Sequence, residues 1–399
     1  MTALGHEVEL TVGPVAHGGH CVARHDGRVV FVRHALPGER VRAVVTEGHY
    51  GSTFWRADAV AVLEASPDRV QPPCPWAGPG RCGGCDLQHA TLPAQRALKT
   101  AVVREQLSRL AGLDDVEVDV EEVPGDDGGL GWRTRVQWAV DEGGRAGLRR
   151  HRSHAVVPVD HCRIAHPLVD AADVTGRSWP GTHGVEVAVS PGSGECLVRP
   201  DGRGSGWLTE TVGERSFRVT GGGFWQVHPG AARTLLDAVL AGLEPAPGES
   251  ALDLYGGVGL FAASLAERVG PTGRVTCIES DRVAVEDARH NLADLPTVRV
   301  ERGRVDHVLR RVHLRSADVV VLDPPRSGAG KAVVDLLSRV GARRIAYVAC
   351  DPAALARDLR WFGERGYRLD AIRAFDLFPM THHVECVAVL APTSGRGLR

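Results

Sequence analysis

A chain of 399 residues is long enough for two or three domains, and 43% hydrophobic with 24% charged residues suits a globular protein. No apolar run approaches the ~20 residues of a membrane span, and the start MTALGHEVEL lacks the basic and apolar stretches of a signal peptide, so a cytoplasmic protein with no membrane association is expected. A net charge of −2 excludes a uniformly basic chain but leaves local basic patches open.

Residues 1–66 read as a small β-barrel. Alternating runs at 7–12, 28–33, 40–45 and 55–63 are separated by the turn pairs Gly18-Gly19, Asp26-Gly27 and Pro37-Gly38. Compact all-β modules of this kind bind single-stranded or looped nucleic acid on an open face. A break rich in Pro and Cys follows at 70–85. The spacing then predicts a helix over 92–111, with apolar positions at Leu98, Val102, Leu107 and Leu110. Strands and glycine-rich turns return from 130 to 217. From 229 onward, apolar runs at 250–254, 274–278, 297–300, 317–322, 344–349 and 385–390 alternate with helical stretches. That alternation predicts an α/β, doubly wound parallel sheet of Rossmann-like type. The expected organisation is a barrel (1–66), a central α+β domain (67–220) whose helix 92–111 packs on the catalytic domain, and a catalytic domain (221–399). The tail 393–399 is expected to fray.

Nine cysteines are present, and a reducing compartment disfavours disulfides, so they divide among ligands, nucleophile and core. Cys74, Cys82 and Cys85 stand in CPWAGPGRCGGC, and Cys162 in VDHCRIAH is the best fourth ligand. Four thiolates suit either zinc or an iron–sulfur cluster, and the spacing alone does not choose between them.

The segment ALDLYGGVGLF is a strand entering a glycine turn before a helix, with the pattern GGxG rather than GxGxxG. Glycine there lets backbone approach a ligand at the helix N-terminus. Asp253 ends that strand, and Glu279 ends the next, where a carboxylate accepts hydrogen bonds from ribose hydroxyls. Asp323 in VVLDPPR and Cys350 in YVACDP end later strands, and Glu385 in HVECV opens the last. Ligands sit at the carboxyl ends of such strands, so Asp323 and Cys350 should face one crevice. A strand–turn–helix elbow lowers a thiol pKa, which suits Cys350 as a nucleophile.

These motifs resemble the RNA uracil-5-methyltransferase family, in particular its iron–sulfur-containing 23S rRNA branch, along nearly the whole chain. The N-terminal barrel is similar to a TRAM domain. CGGCDLQH resembles the family's cluster motif, which implies a 4Fe–4S cluster on Cys74, Cys82, Cys85 and Cys162, with zinc as the alternative. WRTRVQ resembles the YRNK-like segment, and FWQVH the FxQVN motif. The resemblance implies Cys350 as nucleophile and Glu385 as base. It places Gln226, Tyr255, Glu279 and Asp323 around S-adenosylmethionine and the target. The chemistry needs such a pair. A thiolate adding to uracil C6 makes C5 a carbanion equivalent, and a base then removes the C5 proton. Three positions depart from the pattern: His228 for Asn, Asp351 for Asn, and Leu260 for a polar residue.

The expected partner is RNA, ribosomal rather than transfer RNA, engaged by a monomer. Residues 133–163 hold seven arginines (133, 135, 145, 149, 150, 152, 163) against the acids Asp141, Glu142 and Asp160, enough to bind phosphates locally. A tRNA uridine methyltransferase is the alternative within the class. A non-catalytic RNA-binding or assembly protein is the alternative from another class.

Overall fold

A computed structural model describes residues 2–311 and 316–393. Thr393 is tied to Gly366 by two hydrogen bonds, and the rest of the expected frayed tail lies outside the described residues.

Five strands close an N-terminal barrel: β1 (Glu7–Ala16), β2 (His20–His25), β3 (Arg28–Arg33), β4 (Arg40–Glu47) and β5 (Phe54–Glu64), in the order β1-β2-β3-β5-β4. Alternation does the work here. Leu10, Val30, Val32, Val41 and Trp55 point inward and are buried. Strand β2 was not among the predicted runs, because its inward residues are only Cys21 and Ala23.

Helix α1 (Leu92–Gln106) begins at Thr91, whose hydroxyl accepts from Ala94 N–H at 3.4 Å, and ends in a π turn over Leu107–Ala111. Its buried face corrects the predicted stripe. Gln95, Lys99, Thr100, Val102, Val103 and Leu107 are buried, whereas Leu98 is half-buried and Leu110 is 38% exposed. The face is polar because Lys99 Nζ is paired with Asp376 at 2.5 Å, 277 residues away. Breaking one side of such a buried pair costs about 3–5 kcal/mol. Strand β6 (Val120–Glu121) follows.

The central region carries β7 (Arg135–Val140), β8 (Ala146–Arg149), β9 (Val156–Pro158), the short α2 (Pro167–Asp170), β10 (Gly184–Ser190) and β11 (Glu195–Pro200). They form an antiparallel sheet ordered β11-β10-β7-β8-β9 over a core of Trp132, Trp138, Val185 and Val187. A two-stranded hairpin, β12 (Trp207–Val212) and β13 (Arg215–Thr220), leads on.

The last region alternates α3 (Ala231–Leu243), β14 (Ser250–Leu254), α4 (Leu260–Val269), β15 (Arg274–Glu279), α5 (Arg282–Asn291), β16 (Val298–Arg302), α6 (Val305–Arg311), β17 (Val319–Leu322), α7 (Lys331–Val340), β18 (Arg344–Ala349), α8 (Pro352–Gly363), β19 (Tyr367–Phe375) and β20 (Glu385–Pro392). The sheet runs β16-β15-β14-β17-β18-β20-β19-β6. Strands β14 to β18 are parallel, and the central ones, β14, β17 and β18, are buried on both faces and read as largely apolar runs. The parallel sheet also takes in antiparallel neighbours at one side. Strand β20 inserts antiparallel to both β18 and β19, and β6 pairs with β19. Strand β19 escaped the sequence reading because YRLDAIRAF alternates exposed charges with few buried positions.

Among the described residues no helix is long and apolar enough to cross a membrane.

Candidate active site and cysteine cavity

The carboxyl ends of β14, β15, β17 and β18 open along one edge of the sheet. At the first, Tyr255 takes φ +62°, a left-handed conformation that costs a non-glycine residue roughly 1–3 kcal/mol and is kept at functional turns. Gly257 (φ +53°) and Gly259 (φ +94°) follow, and a Cβ on Gly256 would run into Cys277 Sγ. Glu279 accepts from Gly257 N–H at 3.0 Å and from Asp281 N–H at 2.7 Å, so its carboxylate stands at the mouth of the turn. Asp253 is buried. One oxygen accepts from Ala262 N–H at 2.8 Å; the other, Oδ1, has no partner, and burial pushes the group up to about 7. A buried oxygen without a partner beside open glycine backbone fits a polar ligand such as a nucleoside cofactor. Gln226 is half-buried in the loop before α3.

Cys350 and Glu385 meet through sheet register. Strands β18 and β20 pair Ile345 with Leu390 and so on to Ala349 with Cys386. Cys350 directly follows β18 and Glu385 opens β20, so the two stand beside the last pair of this ladder. Asp323 follows Leu322, which pairs with Tyr347 of β18, so it joins the same edge. All three groups are shifted upward. Burial and then Asp323 drive Glu385 well above the usual carboxylate range, and burial takes Asp323 to about 7. Cys350 is pushed up to about 11, first by burial and then by Glu385 and Asp323. This corrects the expectation of a lowered thiol pKa: burial and two carboxyls outweigh the elbow at the start of α8. Arg326 works in the opposite sense on both Cys350 and Glu385. It lies in the LDPPR motif, but its role is visible only once β17, β18 and β20 are adjacent.

The four remaining predicted site residues converge elsewhere. Cys74, Cys82, Cys85 and Cys162 line one cavity of about 1100 Å³, with Cys162 buried and the others half-buried. All four are free thiols. Among the described residues no three His, Cys, Asp or Glu side chains stand in ligating positions. Four thiols are the donor type that a cluster or a zinc ion takes, but these side chains are not arranged to hold one. Burial raises Cys82, Cys85 and Cys162, and neighbouring thiols raise each of them further, a crowding that a bound cation relieves.

The same cavity is walled by Arg133, Arg149, Arg150, Arg152 and Arg163. Arg135 does not join them: it forms a buried ion pair with Glu210 at 2.9 Å. Arg145 is held by Asp141 at 2.9 Å. Each departure from the family pattern has a local reason. His228 is buried, stacked on Trp132, and faces Asp126 at 3.6 Å. Leu260 is buried in the core at the start of α4. Asp351 caps α8, accepting from Ala354 N–H at 2.8 Å, and pairs with His17 of the barrel at 3.3 Å. His17 carried no sequence signal, since its partner is 334 positions distant in the chain.

A parallel sheet with this glycine turn, acidic strand ends and elbow defines the methyltransferase class of α/β folds. Residues 211–392 match the family described as tRNA (Uracil-5-)-methyltransferase, and residues 2–57 match the TRAM domain. An RNA methyltransferase of Streptomyces avermitilis is 53% identical over 98% of this chain and 99% of its own. One of Bifidobacterium longum is 41% identical over 96% of each. The crystal structure of Pyrococcus abyssi tRNA (uracil-54, C5)-methyltransferase in complex with S-adenosyl-L-homocysteine shares the fold, with a TM-score of 0.70, 24% identity, and coverage of 96% of this chain and 99% of that one. The chain belongs to the RNA uracil-5-methyltransferase family with an N-terminal TRAM domain. It is an S-adenosylmethionine-dependent RNA methyltransferase.

Proposed function

We propose that the protein methylates C5 of a uridine in folded RNA, with Cys350 as nucleophile and Glu385 as base. The observation that supports this reading is the register of β18 on β20, whose last pair, Ala349 with Cys386, lies beside both residues at the crevice. Cys350, having lost its thiol proton to solvent, bonds uracil C6 through Sγ, and the C5–C6 π pair becomes available at C5. Gln226, Tyr255, Glu279 and Asp323 would hold S-adenosylmethionine, whose sulfonium methyl C5 would take as the S–CH3 bond breaks and the thioether S-adenosylhomocysteine leaves. Glu385 then accepts the C5 proton. A carboxylate raised far above its usual range is a stronger base than an ordinary one, which suits this step. Loss of Sγ from C6 restores the ring and frees Cys350.

The base must leave its stack to reach Cys350, so a loop is the expected substrate. The arginine-walled cavity supplies a phosphate-binding surface. Ribosomal RNA is the proposed target, supported by the four-cysteine set and its resemblance to the 23S rRNA branch; that set is proposed to hold a 4Fe–4S cluster. The description of the matching family favours transfer RNA as the second reading. Incubation with labelled S-adenosylmethionine and total RNA, followed by mapping of 5-methyluridine in the separated ribosomal and transfer fractions, tests both. Label in the ribosomal fraction supports the first reading and label in the transfer fraction the second. Label on another base or position overturns the reaction itself.

A further inference from the structure

Residues 376–384 join β19 to β20 and run straight into Glu385. They are held from three sides. From α1, Lys99 Nζ donates to Asp376 and to the Phe378 carbonyl (3.0 Å), and the Gln95 side chain accepts from Met380 N–H at 2.8 Å. From the cysteine loop, the N–H groups of Asp86 and Leu87 both donate to the Met380 carbonyl at 3.0 Å. The Asp86 carboxylate also meets the His382 ring at Nδ1 (2.5 Å) and its backbone N–H (3.3 Å). From the barrel, Arg33 reaches Asp86 at 3.1 Å. Gly19 packs so closely that a Cβ there would lie 2.8 Å from His382 Cβ and 3.0 Å from Asp86 Cβ.

Asp86 thereby joins the barrel, the cysteine loop and the segment leading to Glu385. It is buried, and burying a carboxylate is costly where an apolar side chain would pack as well. Met380 is held at φ +67°, a conformation that persists only where the surroundings impose it. Both features mark a segment whose placement is specified rather than merely filled.

We propose that Asp86 is a positioning residue for methyl transfer: by gripping His382 it fixes the 376–384 segment and so the placement of Glu385 against Cys350. The inference rests on the reading of Glu385 as the base. The test uses the full chain carrying Asp86→Ala, with Asp86→Asn and His382→Ala beside it. Asp86→Ala is expected to lower kcat by about 10- to 100-fold at saturating RNA, the scale of a misplacement of about 1 Å, with KM within about twofold. A Cys350–RNA adduct should accumulate on a denaturing gel. Asp86→Asn keeps an oxygen for His382 and should recover most of the rate. An unchanged kcat per folded protein, or a rise in KM alone, overturns the proposal. Should Asp86→Ala fail to fold, His382→Ala breaks the same contact from the other end, and an unchanged kcat there overturns it equally. Glu385→Gln run alongside separates the two claims. If it traps no adduct and turns over normally, the assignment of the base falls. If it traps adduct while Asp86→Ala works normally, only the role of Asp86 falls.

Discussion

The two sets of cysteines in this chain are held in opposite ways. Cys350 directly follows the parallel core strand β18, which is fixed by backbone ladders to β17 and β20. Cys74, Cys82 and Cys85 sit on a loop tied down by scattered contacts: Cys74 N–H to the Gln88 side chain (3.1 Å), Cys82 N–H to Trp76 O (3.0 Å) and Gly83 N–H to Arg149 O (3.0 Å). A reacting thiol thus takes its geometry from the sheet. The cysteine loop is instead held by turns and by single bonds to its neighbours, among them Asp86 and Leu87 N–H to the Met380 carbonyl, rather than by a strand ladder.

Four experiments sharpen that contrast, from the largest expected effect to the smallest. Cys350→Ala should reduce methylation by about 10⁵–10⁶-fold, the scale of losing a covalent nucleophile, while RNA binding measured by anisotropy is kept. Normal turnover would remove the covalent mechanism. Purified protein should be brown and carry about four irons per chain, and Cys162→Ser should lose them and melt at least ~5 °C lower. Stoichiometric zinc without iron would replace the cluster with a zinc site.

A third experiment uses pH. Because Cys350 is pushed up to about 11, its thiolate fraction rises with every step of pH below that value. Alkylation of the Cys350 peptide, followed by mass spectrometry, should accelerate about tenfold per pH unit from 8 to 10. A plateau near pH 8 would contradict the raised value. The smallest effect concerns His17. Its hydrogen bond to Asp351 raises it above its ordinary 6.5, so the contact is fully present below that value and is lost as pH rises through the raised one. His17 is 38% exposed, so the pair is worth no more than ~1 kcal/mol. His17→Ala should lower Tm by about 1–3 °C at pH 6 and leave it unchanged at pH 9. Equal losses at both would show packing rather than charge.

The same contrast explains what the sequence made legible. Strands buried on both faces, such as VVVL at Val319–Leu322, announce themselves, and the residues just after them fall on the crevice by the geometry of parallel sheets. Strands with one polar face or small inward residues, β19 and β2, do not. The insertion of β20 beside β18 was also hidden, although it is the pairing that brings Glu385 near enough to act on Cys350. Contacts between distant segments were out of reach. Lys99 reads as an ordinary helix lysine, and only Asp376 explains its burial. The sign of the shift at Cys350 was misread for the same reason, since two of its causes, Asp323 and Glu385, come from other strands.

The most direct test of the account follows the sulfur itself. Glu385→Gln protein is incubated with RNA and S-adenosylmethionine, digested with nuclease and protease, and the peptide containing Cys350 is weighed. The account predicts a methylated uridine nucleotide attached to that peptide, because the ring cannot release Sγ until its C5 proton is removed. An unmodified Cys350 peptide together with free 5-methyluridine in the RNA would contradict it.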